Sequence, residues 1–147
     1  MSCFKFALRG MLYTIKTEKN MRVHLCFAFY VVLAGFVTRI TEAQWAAVLI
    51  CIALVTAAEC VNTAIERLCD TLHPGQSEGI MHAKDAAAAG VFCLAVVSAI
   101  IGSVIFLNCE KFQAAWEFCK AKPALAVLIV LTLIPASIFT FKRNTVK

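Results

Sequence analysis

Apolar residues run almost unbroken through four parts of this chain, and the polar residues between them mark where each run stops. The first run, His24 to about Ile40, is close to the roughly 20 residues that a helix needs to cross a bilayer. Arg39 and Glu42 mark a tight turn after it, and Trp45 is an aromatic placed where an interfacial anchor is expected. The second run starts at Trp45 and continues without a helix breaker to Asp70. Pro74, Gly75 and Gly79 then punctuate a polar loop that extends to His82, with Lys84-Asp85 closing it. Ala86 to Leu107 carries no charge and opens on Ala86-Ala87-Ala88-Ala89-Gly90, small side chains that let helices approach closely. A polar connection at 108–122 leads to a fourth uncharged run, Ala124 to Phe141, expected to kink at Pro135.

Residues 3–23 differ from all of these. Phe4, Leu8, Met11, Leu12 and Ile15 recur at helical spacing with Lys5, Arg9 and Lys16 between them, the pattern of a helix lying in the membrane surface. A secretory signal also puts positive charge before an apolar run, but here the basic region extends to Arg22 and no small-residue cleavage site follows. The expected architecture is thus an all-α membrane protein. An N-terminal interfacial helix (3–23) and three core transmembrane helices (about 24–40, 45–70 and 86–107) make one unit, residues 1–107. Residues 108–147 add a connection, a fourth C-terminal span (about 124–141) and a basic tail.

Composition agrees with that pattern. The chain has 147 residues, 61% of them hydrophobic, and a mean hydropathy of +0.82, well above a soluble domain. So small a set of spans hardly encloses a reaction chamber alone, and a homo-oligomer is expected. The net charge of +5 calls for no nucleic acid, because the basic residues follow a membrane asymmetry. With the N-terminus inside, ten Lys and Arg fall on the cytoplasmic pieces and four (Arg39, Lys111, Lys120, Lys122) on the outer loops, which puts both termini inside. The eight cysteines form no C-x-x-C, and Cys26, Cys51 and Cys93 lie within apolar runs, where free thiols behave as small hydrophobes.

Chemistry concentrates in Glu59-Cys-Val-Asn-Thr-Ala-Ile-Glu-Arg-Leu-Cys-Asp70. Glu59, Asn62, Thr63, Glu66 and Asp70 step by three or four and share one helix face. An ionisable group in a membrane span is costly enough to be a functional candidate by default. Glu59 and Glu66 are about 10 Å apart along the axis, too far to hold one ion together. The counted orientation places Glu66, the 71–85 loop and Glu18 on the cytoplasmic side, with Glu59 deeper. Acids and a lysine at that boundary suit phosphoryl transfer to a membrane alcohol. Such a reaction needs a divalent ion on the nucleotide phosphates, a cation for the developing charge and a base at the attacking hydroxyl. Glu18 and Glu66 can hold Mg2+, Lys84 can supply the cation and Glu59 can take the proton. Spacing alone makes Glu18 a solvated partner of Lys19 or Arg22. Neither the P-loop pattern nor the protein-kinase motif set occurs.

Glu59-x-x-Asn62-Thr63-Ala64-Ile65-Glu66, with Asp70 and then Ala83-Lys84-Asp85, closely resembles the signature of the prokaryotic diacylglycerol kinase and undecaprenol kinase family. Arg9-Gly10 and Thr17-Glu18-Lys19-Asn20-Met21-Arg22-Val23-His24 resemble that family's surface helix and the start of its first span. The resemblance covers about residues 4–107. It implies a homotrimer in the bacterial inner membrane, with active sites shared between neighbouring chains and facing the cytoplasm. It further implies ATP as phosphate donor and undecaprenol or diacylglycerol as acceptor. By it Glu59 matches the catalytic base and Asn62 a polar active-site residue. Glu18 and Glu66 match the carboxylates for the divalent ion of Mg-ATP, and Lys84 and Asp85 match nucleotide-contacting positions. Family members often carry Glu-aromatic-His in the loop; this chain reads Gly75-Gln76-Ser77 at those nucleotide-facing positions, so its ATP affinity is expected to differ. Arg22-Val23-His24 looks more like the undecaprenol kinase branch.

Two other readings compete. A channel or transporter subunit could use Glu59, Asn62 and Glu66 as an ion path, but Ala46 to Ala58 offers only Thr56 as a polar side chain. A structural assembly partner would account for Ala86 to Gly90 but leaves Glu18, Lys84 and Asp85 unexplained.

Overall fold

The computed structural model describes residues 2–72, 75 and 77–141. Gln76 and the basic tail from Lys142 to Lys147 lie outside the described residues. The described residues are helical with short connections: α1 (Ser2–Thr17), α2 (Lys19–Thr38), α3 (Glu42–Leu72), α4 (Glu78–Phe106), α5 (Cys109–Ala121), α6 (Pro123–Leu131) and α7 (Leu133–Phe141). Among the described residues four segments are long and apolar enough to cross a membrane: α2, α3, α4, and α6 with α7 taken together as Pro123–Phe141. Among the same residues six hydrophobic side chains are buried, Met21, Ile40, Val48, Val55, Val91 and Ile105. So little internal packing leaves the apolar exteriors to be covered by lipid or by other chains.

Several boundaries differ from the sequence expectation, each for a local reason. The N-terminal helix stops at Thr17 instead of 23, because Glu18 adopts an extended conformation (φ −99°, ψ 123°) as the residue before α2. The first span therefore begins at Lys19. Ser77 accepts a hydrogen bond from Ile80 N–H and starts α4 early, so Lys84 and Asp85 stand on the helix and not in the loop. The 108–122 connection is itself a helix, α5, capped by Asn108 accepting from Lys111 N–H. The last span breaks at Thr132, three residues ahead of Pro135. Proline removes a bond to the carbonyl four residues back and crowds it, so the disruption falls upstream of the ring.

The α2–α3 turn is firmly specified. Arg39 takes a left-handed conformation (φ 51°), and Ile40 N–H returns to Gly35 C=O at 3.1 Å, a Schellman ending. Thr41 and Gln44 then exchange hydrogen bonds, backbone N–H to side chain each way, at 3.0 and 3.3 Å, a capping box that starts α3. Next to it Ile40, Val48 and Ile105 are buried together, with Trp45, Ile101 and Phe106 packed against them. This cluster joins α2, α3 and α4 at one end of the bundle and leaves the ends carrying Glu18, Glu66 and Lys84 apart from the core.

The C-terminal helices fold back onto α2. Arg22, 5% exposed, donates to Ile15 and Lys16 C=O at 3.0 and 3.2 Å and to Thr140 C=O at 3.5 Å. It ties the last turn of α1, the start of α2 and the end of α7 together. Cys26 Sγ lies 3.1 Å from Thr140 Oγ1, and Tyr30 OH lies 3.1 Å from Thr132 Oγ1. Arg22, Cys26 and Tyr30 step by four along one face of α2, so the fourth span seats along that face.

Candidate active site

Burial along α3 falls steadily from one end of the polar stripe to the other. Glu59 is 2% exposed, Thr63 2% and Asn62 7%; Glu66 is half-buried and Asp70 exposed. The gradient reflects packing within the chain, because Glu59 lies against His24 of α2 while Asp70 stands near the exposed end. About 20 residues cross a hydrocarbon core, so a crossing that starts at Trp45 ends near Ile65. Glu59 then falls inside and Asp70 outside. The stripe lies on one face, as its spacing requires.

Glu18, Glu59, Asn62, Glu66 and Lys84 each have a specific partner. Glu59 Oε1 lies 3.3 Å from His24 Nε2 on α2. Asn62 Nδ2 donates to Glu66 Oε1 at 2.9 Å, and Thr63 Oγ1 donates to Glu59 C=O. A carboxylate only accepts, so the amide nitrogen must face Glu66 and the amide oxygen must face away; that oxygen is buried and, among the described residues, has no partner. Arg67 donates to Glu18 Oε1 at 3.2 Å, and its guanidinium lies 5.7 Å from the Tyr13 ring centre. Lys84 Nζ reaches Asp70 Oδ1 at 2.8 Å, joining α4 to α3. Asp85 is exposed beside it, and Gly75 and Ser77 are exposed in the loop.

The chain therefore brings the candidates together in pairs. Among the described residues, no three His, Cys, Asp or Glu side chains converge to hold a metal ion. The carboxylate of Glu66, held by the Asn62 amide, and the carboxylate of Glu18 still offer hard oxygen donors. Mg2+ usually takes one or two carboxylates, the rest of its shell being water and phosphate oxygens. The residues present fit that ion.

A groove of about 280 Å3 runs between α2, α3 and α4. His24 belongs to its wall, with Ala28, Val31, Val55, Ala95 and Gly102 among the other lining residues. It is almost wholly apolar. On α3, Thr56 returns its hydroxyl to Ile52 and Ala53 C=O, so that helix offers no polar path across the bilayer of the kind a channel needs.

Two site features lay outside the sequence reading. His24 entered it as the start of the first span and as part of a resemblance, yet it is the partner of Glu59. Its signal was available: His24 and Glu59 lie at similar distances on either side of the Ile40 turn, so an antiparallel hairpin sets them at one level. Arg22 entered as a charge and as part of that resemblance, and its three carbonyl partners were not read from spacing. Cys26, Cys51, Cys60, Cys69, Cys93, Cys109 and Cys119 are free thiols.

The pattern of the prokaryotic diacylglycerol kinase family matches residues 5–106. The chain is 36% identical over 104 residues to an undecaprenol kinase of Bacillus subtilis (strain 168), an alignment covering 71% of this chain and 85% of that protein. It is 32% identical over 106 residues to a diacylglycerol kinase of Synechocystis sp., covering 71% of this chain and 60% of that one. No solved structure matches it significantly. The matched stretch ends where α4 ends, so α5, α6 and α7 lie beyond it.

Proposed function

The chain belongs to the prokaryotic diacylglycerol kinase family and is a multi-pass membrane lipid kinase, and from that premise we propose that it transfers the γ-phosphate of ATP to undecaprenol, with diacylglycerol as a second acceptor. In this reading Glu59 takes the acceptor's hydroxyl proton as the hydroxyl oxygen bonds to the γ-phosphorus, and the bond to the β–γ bridging oxygen breaks to release ADP. Undecaprenyl phosphate or phosphatidic acid leaves in the membrane. The supporting observation is the gradient on α3: a carboxylate 2% exposed beside an apolar groove that reaches its partner His24, on the same face as half-buried Glu66 and exposed Asp70, which meets Lys84 of α4. The groove suits the hydrocarbon chain of the acceptor, and the exposed end suits ATP.

Glu66 and Glu18 would hold Mg2+, with Asn62 aligning Glu66; the ion neutralises charge on the nucleotide phosphates when bound. Lys84 and Asp85 would meet the nucleotide, together with the loop positions Gly75, Gln76 and Ser77. Both Lys84 and Glu18 pair with neighbouring side chains and must exchange those partners for phosphate or metal. The α1 helix, with Phe4, Phe6 and Leu12 exposed, would lie in the membrane surface. The small residues Ala88, Ala89 and Gly90 of α4 are exposed, and a Cβ at Gly90 would meet nothing within 4 Å. That open face supports a homotrimer in which a neighbouring copy completes each site. The bacterial inner membrane, with the site facing the cytoplasm, fits the distribution of Lys and Arg.

The similarity to the Bacillus subtilis undecaprenol kinase extends over 85% of that protein, and Arg22-Val23-His24 favours the same acceptor. A side-by-side assay of the purified protein, with Mg-ATP and either undecaprenol or diacylglycerol in mixed micelles, tests the choice. The expected result is the higher kcat/KM on undecaprenol. A higher value on diacylglycerol would reverse the assignment.

A further inference from the structure

An ionised carboxylate removed from water is tolerated only where a charged or hydrogen-bonding group meets it. Glu59 is 2% exposed, and among the described residues its side-chain contact is with His24, at 3.3 Å. His24 is 23% exposed and also forms part of the groove wall. One imidazole thus stands at the base and at the apolar channel together.

The helix that carries His24 is held from its other side. Arg22 and Cys26 contact Thr140 of α7 and Tyr30 contacts Thr132 just before it, while His24, Phe27, Ala28 and Val31 line the groove. These two sets fall on different faces of α2, because positions four apart align and positions two apart diverge by about 200° on a helix of 3.6 residues per turn. The α7 contacts thus lie on the face of α2 away from His24, and His24 faces Glu59 on α3.

We propose that His24 is a positioning residue for the kinase reaction: its Nε2 engages one oxygen of Glu59, keeps that carboxylate at the head of the groove, and leaves the second oxygen for the acceptor hydroxyl. This rests on Glu59 being the base. It assigns His24 no contact with ATP, so loss of the imidazole slows turnover without weakening nucleotide binding.

The test is a kinetic cycle on the full-length protein with undecaprenol and Mg-ATP. His24→Phe keeps ring volume and removes the donor, while His24→Gln keeps an N–H of similar reach. His24→Phe is expected to lower kcat about tenfold or more, as small displacements of a reacting group do, with KM for Mg-ATP unchanged. His24→Gln is expected to recover most of that loss. In a Glu59→Gln background, His24→Phe should have no further effect, because its action passes through that carboxylate. Wild-type kcat in His24→Phe, or equal losses in the Phe and Gln variants, overturns the inference. An additive loss in the double variant also overturns it. Full activity in Glu59→Gln alone instead overturns the assignment of the base, so the two failures are distinguishable. Melting curves of His24→Phe and His24→Gln identify any loss due to unfolding; if His24→Phe unfolds and His24→Gln does not, a wild-type kcat in His24→Ala overturns the inference.

Discussion

Asn62 and Glu66 are joined one turn apart on α3 by a 2.9 Å hydrogen bond, and the amide oxygen left over is buried without a protein partner. Asn62 is thereby tied to the carboxylate assigned to the metal, and not to the side chain of the neighbouring base. Removing a group that orients a metal-binding carboxylate typically costs about 10- to 100-fold in metal affinity. Asn62→Ala is expected to raise the Mg2+ concentration for half-maximal rate about tenfold. Glu66→Gln should raise it further. Titration of Mg2+ at saturating ATP checks both.

Lys84 and Asp70 form an exposed pair, side chains 36% and 58% accessible. Solvent screens such pairs, so they add little to the stability of a fold. Asp70→Asn should therefore leave the melting temperature nearly unchanged. Lys84→Met should raise KM for Mg-ATP several-fold, as expected when a cation that meets phosphate is lost. Steady-state kinetics on the two variants separate the effects.

Gly35 lies where the α2–α3 turn closes. A Cβ there would come within 2.8 Å of Trp45 Cη2 and 3.0 Å of Ile40 Cδ1. The indole also contacts Phe36, with ring centres 4.8 Å apart, and has little room to withdraw. Gly35→Leu should destabilise the protein by about 1–3 kcal/mol, the usual range for overpacking. A lowered thermal midpoint in detergent would register it.

Arg22 makes its three carbonyl contacts at 5% exposure. Arg22→Met leaves those carbonyls without their donor, and each lost bond to a charged group is worth about 1.5–3 kcal/mol. The expected result is a loss of about 3 kcal/mol or more. Deleting residues 108–147 removes only the Thr140 acceptor from this set, along with the Cys26 and Tyr30 contacts. It should lower the melting temperature less and leave a measurable kinase rate, because the family match ends at residue 106.

The spans were legible because hydropathy is local: long apolar runs with few charges have no other stable home. The stripe on α3 was legible for a related reason, since polar residues at helical spacing in such a run must share a face. Its depth in the membrane follows from helix rise against bilayer thickness, whereas its burial within the chain depends on how α2 packs against α3. Tertiary partners were not legible from spacing. Arg67 on Glu18, Arg22 on Thr140 and Lys84 on Asp70 depend on how separate helices cross. Helix limits were misjudged where a single side chain decided them: Ser77 and Asn108 each cap a helix through one hydrogen bond, and Glu18 breaks one by an extended backbone.

The central claim is that Glu59 is the base of an ATP-dependent lipid kinase. Its most direct test follows transfer of labelled γ-phosphate from ATP to undecaprenol by wild type and Glu59→Gln, with Mg-ATP binding measured on both. General-base catalysis contributes about 10²- to 10⁴-fold, so the variant should lose at least about 10²-fold in rate while binding Mg-ATP as wild type does. Wild-type turnover by Glu59→Gln would contradict the account.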